Sequence, residues 1–413
     1  MKLALFIVLM MIMGAANAQT IKDNQVILGR TDSIKSKILG EKRKVWVYMP
    51  NGAIESKQRY PVVYLLDGDA HFPSVTGMIQ QLSEVNGNTV CPDMIVVAIP
   101  NTDRTRDLTP TNSMLDPQGK TVDDFKTSGG GEKFTAFIEK ELIPHIDSLY
   151  PTAPYKILIG HSFGGLTVMN IVVNHPDMFN AYVAIDPSMW WDGRKLLNQA
   201  HQVLMQKKYE GKSLFLGIAN TMPADMDTGR VRKDTSGTTA HIRSILDLAD
   251  VLKSNHGNGL NFDYKYYNDD NHGSVPLIAE YDALHFLFGF YKFPKGTDAK
   301  LFDPAAKIDI GNLFSTHYSD ISKHMGYQVL PPEGEMNGLG YYFMQSKAPA
   351  KAFALFNLNI QNYPNSYNVY DSMGDYYNDQ KDKTKAIEYY TKALKLKDNK
   401  ETKEKLAKLQ AAK

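Results

Sequence analysis

Apolar residues in this chain fall into short unbroken runs at 61–66, 94–99, 157–159, 181–185 and 214–218, none carrying a charged side chain. Strands that are apolar on both faces belong to a parallel sheet covered by helices on each side. An earlier stretch, 35–50, alternates polar and apolar positions around Val45, Val47 and Met49. That pattern predicts antiparallel strands near a sheet edge. Helical spacing occupies the intervals, for example 133–149 and 239–254, and 262–267 predicts a last strand. Strands and helices in alternation predict an α/β fold, a doubly wound and mostly parallel sheet.

The pattern changes after about residue 292. Phe293, Pro294 and Gly296 mark a turn-rich boundary, and the apolar strand runs stop. Segments 348–362 and 366–380 read as a helix pair with Tyr363-Pro364 between them, and 383–396 opens a further helix. Alanine and tyrosine at the helix contact positions resemble a tetratricopeptide-type repeat. The expected division is a leader over 1–18, a main α/β domain over 19–295, a linker over 296–345 and a small all-α domain over 346–413. One repeat and part of another fall short of the roughly three that stand alone. The tail is therefore expected to pack on the main domain or to meet a protein partner.

Lys2, the apolar stretch 3–13 and Ala16-Asn17-Ala18 have the layout of a cleaved secretory leader. The expectation is an exported protein, periplasmic or secreted, with no membrane span after cleavage. Lysine plus arginine number 46 against 45 acidic residues, so no bulk field draws nucleic acid or anionic lipid. Cys91 is the one cysteine, which rules out an internal disulfide and leaves stability to a sizeable core.

Chemistry enters at Gly160-His161-Ser162-Phe163-Gly164-Gly165. The motif follows an apolar strand and opens a helical segment, the setting of the G-x-S-x-G nucleophile elbow of an α/β-hydrolase. Glycines 160 and 164 stand where a side chain would meet the neighbouring strand or helix. A serine hydroxyl needs a base within reach. Among eleven histidines, His272 lies in a polar loop between the last strand and the last helix, where the base of this fold is expected. The acid is expected on the loop after 214–218, which offers Asp225 and Asp227; Asp227 is preferred for reach. A dyad, with Asp269, Asp270 or a backbone carbonyl orienting His272, stays open. Oxyanion donors are expected from the backbone N–H of Phe163 and, after the Gly68 turn, of Asp69. Asp67 either braces that loop or receives a substrate hydroxyl.

Leu65-Leu66-Asp67-Gly68, the elbow, the segment 185–192 (Ile-Asp-Pro-Ser-Met-Trp-Trp-Asp) and the segment 271–276 together resemble the esterase family of the α/β-hydrolases related to esterase D. That family includes ferric-enterobactin-type siderophore esterases, S-formylglutathione hydrolase, feruloyl esterases and mycolyltransferases. The resemblance spans about 35–292. It implies Ser162 as nucleophile, His272 as base, and Asp69 and Phe163 as oxyanion donors. It does not choose the acid. The implied activity is a serine carboxylic-ester hydrolase acting on a small-molecule ester, siderophore or feruloyl/acetyl in type.

Arg104 and Arg106 follow the strand at 94–99 and suit an anionic substrate group, unless Asp103 and Asp107 claim them. Trp190 and Trp191 suit an aromatic wall or, equally, the core. No H-E-x-x-H, paired cysteine, P-loop or dinucleotide fingerprint is present, so neither metal nor cofactor is expected. The rival class is a non-catalytic scaffold using the helical tail.

Overall fold

The structure is a computed structural model that describes residues 21–22, 25–54, 58–303 and 306–411. The leader expected over 1–18 lies outside the described residues. The chain divides into two compact units at 292/293.

The first unit is built on eight strands: β1 Arg30–Lys35, β2 Lys42–Tyr48, β3 Tyr60–Leu65, β4 Ile95–Ala98, β5 Thr152–His161, β6 Ala181–Ile185, β7 Ser213–Ala219 and β8 Asn261–Tyr267. Their spatial order is β8-β7-β6-β5-β3-β4-β2-β1. From β4 through β8 every neighbouring pair is parallel, while β2 runs antiparallel to both β1 and β4. Every residue of β3, β4 and β6 is buried, as unbroken apolar runs require. Alternating burial along β2 and β8 suits strands with one wetter face.

Helices that matter for the site follow the strands in alternation: α1 Gly68–Ser83, α2 Arg104–Leu108, α3 Phe163–Asn174, α4 Trp191–Gln206, α5 Ala240–Ser254 and α6 Val275–Leu287. Residues 131–149 are continuously helical with a π turn over Ile138–Leu142. Cys91 is buried, and burial pushes its thiol up to about 12, so it stays protonated and unreactive. Among the described residues no helix is long and apolar enough to cross a membrane.

The second unit is all helical: α7 Thr297–Phe302, α8 Ile310–Met325, α9 Glu333–Gln345, α10 Pro349–Asn362, α11 Tyr367–Asp379, α12 Lys383–Leu396 and α13 Lys400–Ala411. Residues 296–345, expected to be a linker, instead carry three helices. Ile310, Phe314, Met336 and Phe343 pack with Leu355 and Phe356 into one core, which is why this stretch is ordered. Gly340 lies under the ring of Phe356 and Gly374 under the ring of Tyr390.

Candidate active site

Ser162 sits between β5 and α3 with φ 59° and ψ −115°, a conformation side chains rarely adopt. Its N–H donates to the Ile185 carbonyl and its own carbonyl accepts from Leu166 and Ser188. A Cβ on Gly160 would lie 2.4 Å from the Gly164 carbonyl oxygen, so the helix can return this closely only over glycine. At Gly164 a Cβ would stand 3.1 Å from the Asp67 carboxylate. Two further non-glycine residues with positive φ, Asp67 (51°) and Asp186 (41°), stand just past the ends of β3 and β6, which flank β5. Backbone strain is thus collected at the C-terminal ends of three adjacent central strands.

His272 reaches Ser162 from the loop between β8 and α6, with Nε2 3.1 Å from Oγ. The loop is pinned by the Asn220 N–H donating to the Asp270 carbonyl and by Asn271 Oδ1 accepting from the Gly273 and Ser274 N–H groups. On its other side, His272 Nδ1 is 2.6 Å from Asp186 Oδ2. That carboxylate is fully buried, and its Oδ1 accepts from the Ala219 N–H at 3.0 Å.

The residue on His272 is therefore neither Asp225 nor Asp227. Asp227 is exposed and caps the short helix Thr228–Val231, accepting from the Gly229 and Arg230 N–H groups. Asp225 is exposed on the same loop. Nor do Asp269 or Asp270 orient the imidazole: Asp269 accepts from Asn268 and Asp270 from Ser274. Sequence reasoning missed Asp186, which stands one strand earlier than expected. The available signal was an acidic residue directly after an apolar run and before Pro187. His241, whose Nε2 lies 2.8 Å from the same Asp186 oxygen, was missed as well.

The N-terminus of α1 lies beside the elbow. Gly68 approaches β4 so closely that a Cβ would meet Ala98 at 2.7 Å. The Gly68 N–H donates to the Ile99 carbonyl, and those of Ala70 and His71 turn back to the Asp67 carbonyl. Asp69 between them, like Phe163 at the start of α3, has an N–H in the first helical turn, where no earlier carbonyl of the helix is available. Asp67 braces this turn. Its buried carboxylate takes Arg104 Nε and Nη2 at 2.7 and 2.9 Å and Asn101 Nδ2 at 2.7 Å. Arg104 is thus paired with Asp67, not Asp103, and lies over the Phe163 ring. Arg106 is not available to a substrate, because its guanidinium is divided between Asp107 and Glu41. Trp191 is core: it is buried, with Nε1 donating to the Thr111 carbonyl. Trp190 is half-buried and packs with Phe125 and Phe163.

Comparison with known proteins fits this geometry. Residues 36–220 match the family described as "Putative esterase". A solved structure of an IroE-like serine hydrolase from Shewanella oneidensis is 30% identical, with TM-score 0.69, and the match covers 81% of this chain and 99% of that one. This chain belongs to the esterase family. The ferri-bacillibactin esterase BesA of Bacillus subtilis is 34% identical over 159 residues, 36% of this chain and 55% of that protein. The siderophore enterobactin esterase of Emericella nidulans is 27% identical over 248 residues, 54% of this chain and 81% of that protein. The protein is an esterase, which sets aside the non-catalytic scaffold.

Electrostatics of the esterase's site follow from burial. Burial works to raise the Asp186 pKa, but the hydrogen bonds from His241 and His272 outweigh it and hold the carboxyl well below its usual range. His161, whose ring centroid is 4.5 Å from that of His272, is lowered to about 4 by burial first and by the charge of His272 next. It stays neutral at ordinary pH and puts no cation beside the His272 ring. Among the described residues, Asp186, His241 and His272 are a group whose ligand atoms lie within 4.8 Å of one another, close enough to hold a metal ion. Both imidazole nitrogens already point at one carboxylate oxygen, as hydrogen-bond donors do.

Proposed function

We propose that this esterase is an exported serine carboxylic-ester hydrolase that cleaves the ester bonds of a siderophore through Ser162, His272 and Asp186. One observation carries the mechanism: the continuous line from Ser162 Oγ through both ring nitrogens of His272 to the buried Asp186. Ser162 Oγ attacks the ester carbonyl carbon while His272 Nε2 takes its proton. The oxyanion that forms accepts from the N–H groups of Phe163 and Asp69, both at helix starts. The carbonyl–alkoxide bond then breaks, and His272 returns the proton to the leaving alcohol. Water repeats the sequence on the acyl-enzyme and releases the acid. Asp186 holds the ring with Nδ1 protonated and offsets the imidazolium charge.

The names of the curated relatives support a siderophore ester over the feruloyl and acetyl alternatives. Trp190, with Phe125 and Phe163 behind it, offers an aromatic wall beside the serine, suited to an aryl acyl group. Export rests on the leader pattern of residues 1–18. The test is an ester panel run on the mature protein and on Ser162→Ala side by side. Turnover of a catecholate triester well above feruloyl and acetyl esters, abolished in Ser162→Ala, is expected. Unchanged hydrolysis by Ser162→Ala overturns the mechanism, and preference for a feruloyl ester overturns the substrate class.

The second unit supports a tetratricopeptide reading. Gly340 under Phe356 recurs as Gly374 under Tyr390, an offset of 34 residues (340 to 374, 356 to 390), the length of that repeat. A protein partner on these helices is part of the proposal.

A further inference from the structure

We propose that His241 is a positioning residue of this esterase, acting on the reaction only through Asp186. The inference rests on the Ser162–His272–Asp186 reading and adds a fourth member to it. Asp186 Oδ2 lies 2.6 Å from His272 Nδ1 and 2.8 Å from His241 Nε2, so one oxygen serves two imidazoles. The rings arrive from separate elements, His241 on the first turn of α5 and His272 on the loop before α6. Their planes cross at 87° with centroids 5.1 Å apart. The other oxygen is tied to the Ala219 N–H.

A carboxylate held by Oδ1 alone can still rock about that contact, carrying Oδ2 out of the His272 plane. The Nε2–H of His241 fixes Oδ2 from a second direction and thereby fixes the ring that must meet Ser162. It also takes up part of the anionic charge, so that the shared proton stays on His272 Nδ1. The pair is sheltered but reachable: the Asp186 side chain is fully buried and that of His241 is 17% exposed. His161 also interacts electrostatically with both Asp186 and His272, and Asp67 and His71 act on His161 in turn. Among the described residues the side chains that hydrogen-bond to the Asp186 carboxylate are His272 and His241, so the second donor is specific to His241.

The test uses the full-length enzyme and a p-nitrophenyl ester. His241→Leu is expected to lower kcat by on the order of tenfold or more with KM within twofold, because the donor acts on the acid and not on the substrate. His241→Gln, whose amide nitrogen can occupy the Nε2 position, is expected to recover most of that loss, whereas the shorter His241→Asn is not. In an Asp186→Asn background, adding His241→Leu is expected to change kcat less than threefold, since the pathway is already broken. A kcat for His241→Leu within twofold of the parent, or a full and additive loss in the Asp186→Asn background, overturns the inference. If His241→Leu fails to fold, the Gln and Asn pair carries the same comparison, and equal activities overturn it. Ser162→Ala separates the two levels. An active Ser162→Ala defeats the underlying mechanism, whereas inactive Ser162→Ala and Asp186→Asn beside a fully active His241→Leu defeat this inference alone.

Discussion

Replacing Asp186 by asparagine separates the acid assigned here from the one expected on the next loop. The side chain is fully buried and accepts from Ala219, His241 and His272. An amide of the same shape has one acceptor oxygen, so it either keeps the bond from Ala219 and presents its NH2 to the two imidazoles, or turns its carbonyl to them and loses that bond. With the NH2 outward, His272 is driven to the tautomer whose Nε2 carries the proton and cannot accept one from Ser162. With the carbonyl outward, the NH2 is set against the Ala219 N–H, donor against donor, and no anion offsets the imidazolium. Either way kcat is expected to fall by about 10³ to 10⁴, or about 4 to 5 kcal/mol at 1.36 kcal/mol per tenfold. The assay is steady-state hydrolysis of a p-nitrophenyl ester, with circular dichroism and a thermal melt to verify folding. Asp227→Asn and Asp225→Asn, exposed on the neighbouring loop, are expected to stay within twofold of the parent. A folded Asp186→Asn enzyme with more than a tenth of parental kcat, or a large loss in Asp227→Asn, refutes the assignment.

Gly160→Ala forces a Cβ to 2.4 Å from a backbone oxygen, so about 3 kcal/mol or more of stability is expected to be lost, with ester turnover; a near-parental urea midpoint contradicts the packing. Arg104→Met leaves the buried Asp67 carboxylate without its partner and is expected to cost about 2 to 4 kcal/mol, part of which Asp67→Asn in the same chain restores; urea melts of the double-mutant cycle read this directly, and strict additivity refutes the pairing. Glu280 on α6 is buried beside His71 and Ser74, and burial, outweighing the hydrogen bond from Ser74, raises its carboxyl to about 8. Its folded pKa lies above the unfolded value, so its contribution is fully present below about pH 4.5 and is lost as pH rises through 8. The sign follows because the native state holds a proton the unfolded chain has released. Stability is expected to fall by up to about 1.4 kcal/mol per pH unit between 5 and 8, and Glu280→Gln is expected to flatten that slope; equal slopes refute it.

What the sequence reveals and what it hides separates along physical lines. The strands of the sheet centre were legible because residues buried on both faces must be apolar, and that mark is local. Ser162 was legible because strand, tight turn and helix occupy consecutive residues and the glycines are demanded by contacts within a few positions. His272 could be reached because the loop before the last helix has one expected place above the sheet. Asp186 could not be reached in the same way. Whether an acid meets His272 from the loop after β6 or the loop after β7 depends on how far each loop reaches in space, and both carry aspartates. The strained backbone at Asp186, φ 41°, which turns its carboxylate toward His272, leaves no mark in a string of residue types. Arg104 misled for a related reason: Asp67 lies far along the chain, and only the fold brings it to the guanidinium. Arg106 is instead claimed by its neighbour Asp107, the alternative open in the sequence, with Glu41 added by the fold. The helices over 297–345 were obscured by Gly296, Gly326, Pro331 and Pro332, whose turn chemistry hid the apolar stripe of Ile310, Phe314, Ile321 and Met325.

In this mechanism Ser162 carries the covalent intermediate. Its most direct measurement is mass-spectrometric mapping of the enzyme after reaction with a fluorophosphonate ester probe. One adduct per chain is predicted, on the peptide containing Ser162, growing in step with loss of ester turnover and absent from His272→Ala. Labelling of another residue in step with inactivation, or full inactivation with Ser162 unmodified, contradicts the account.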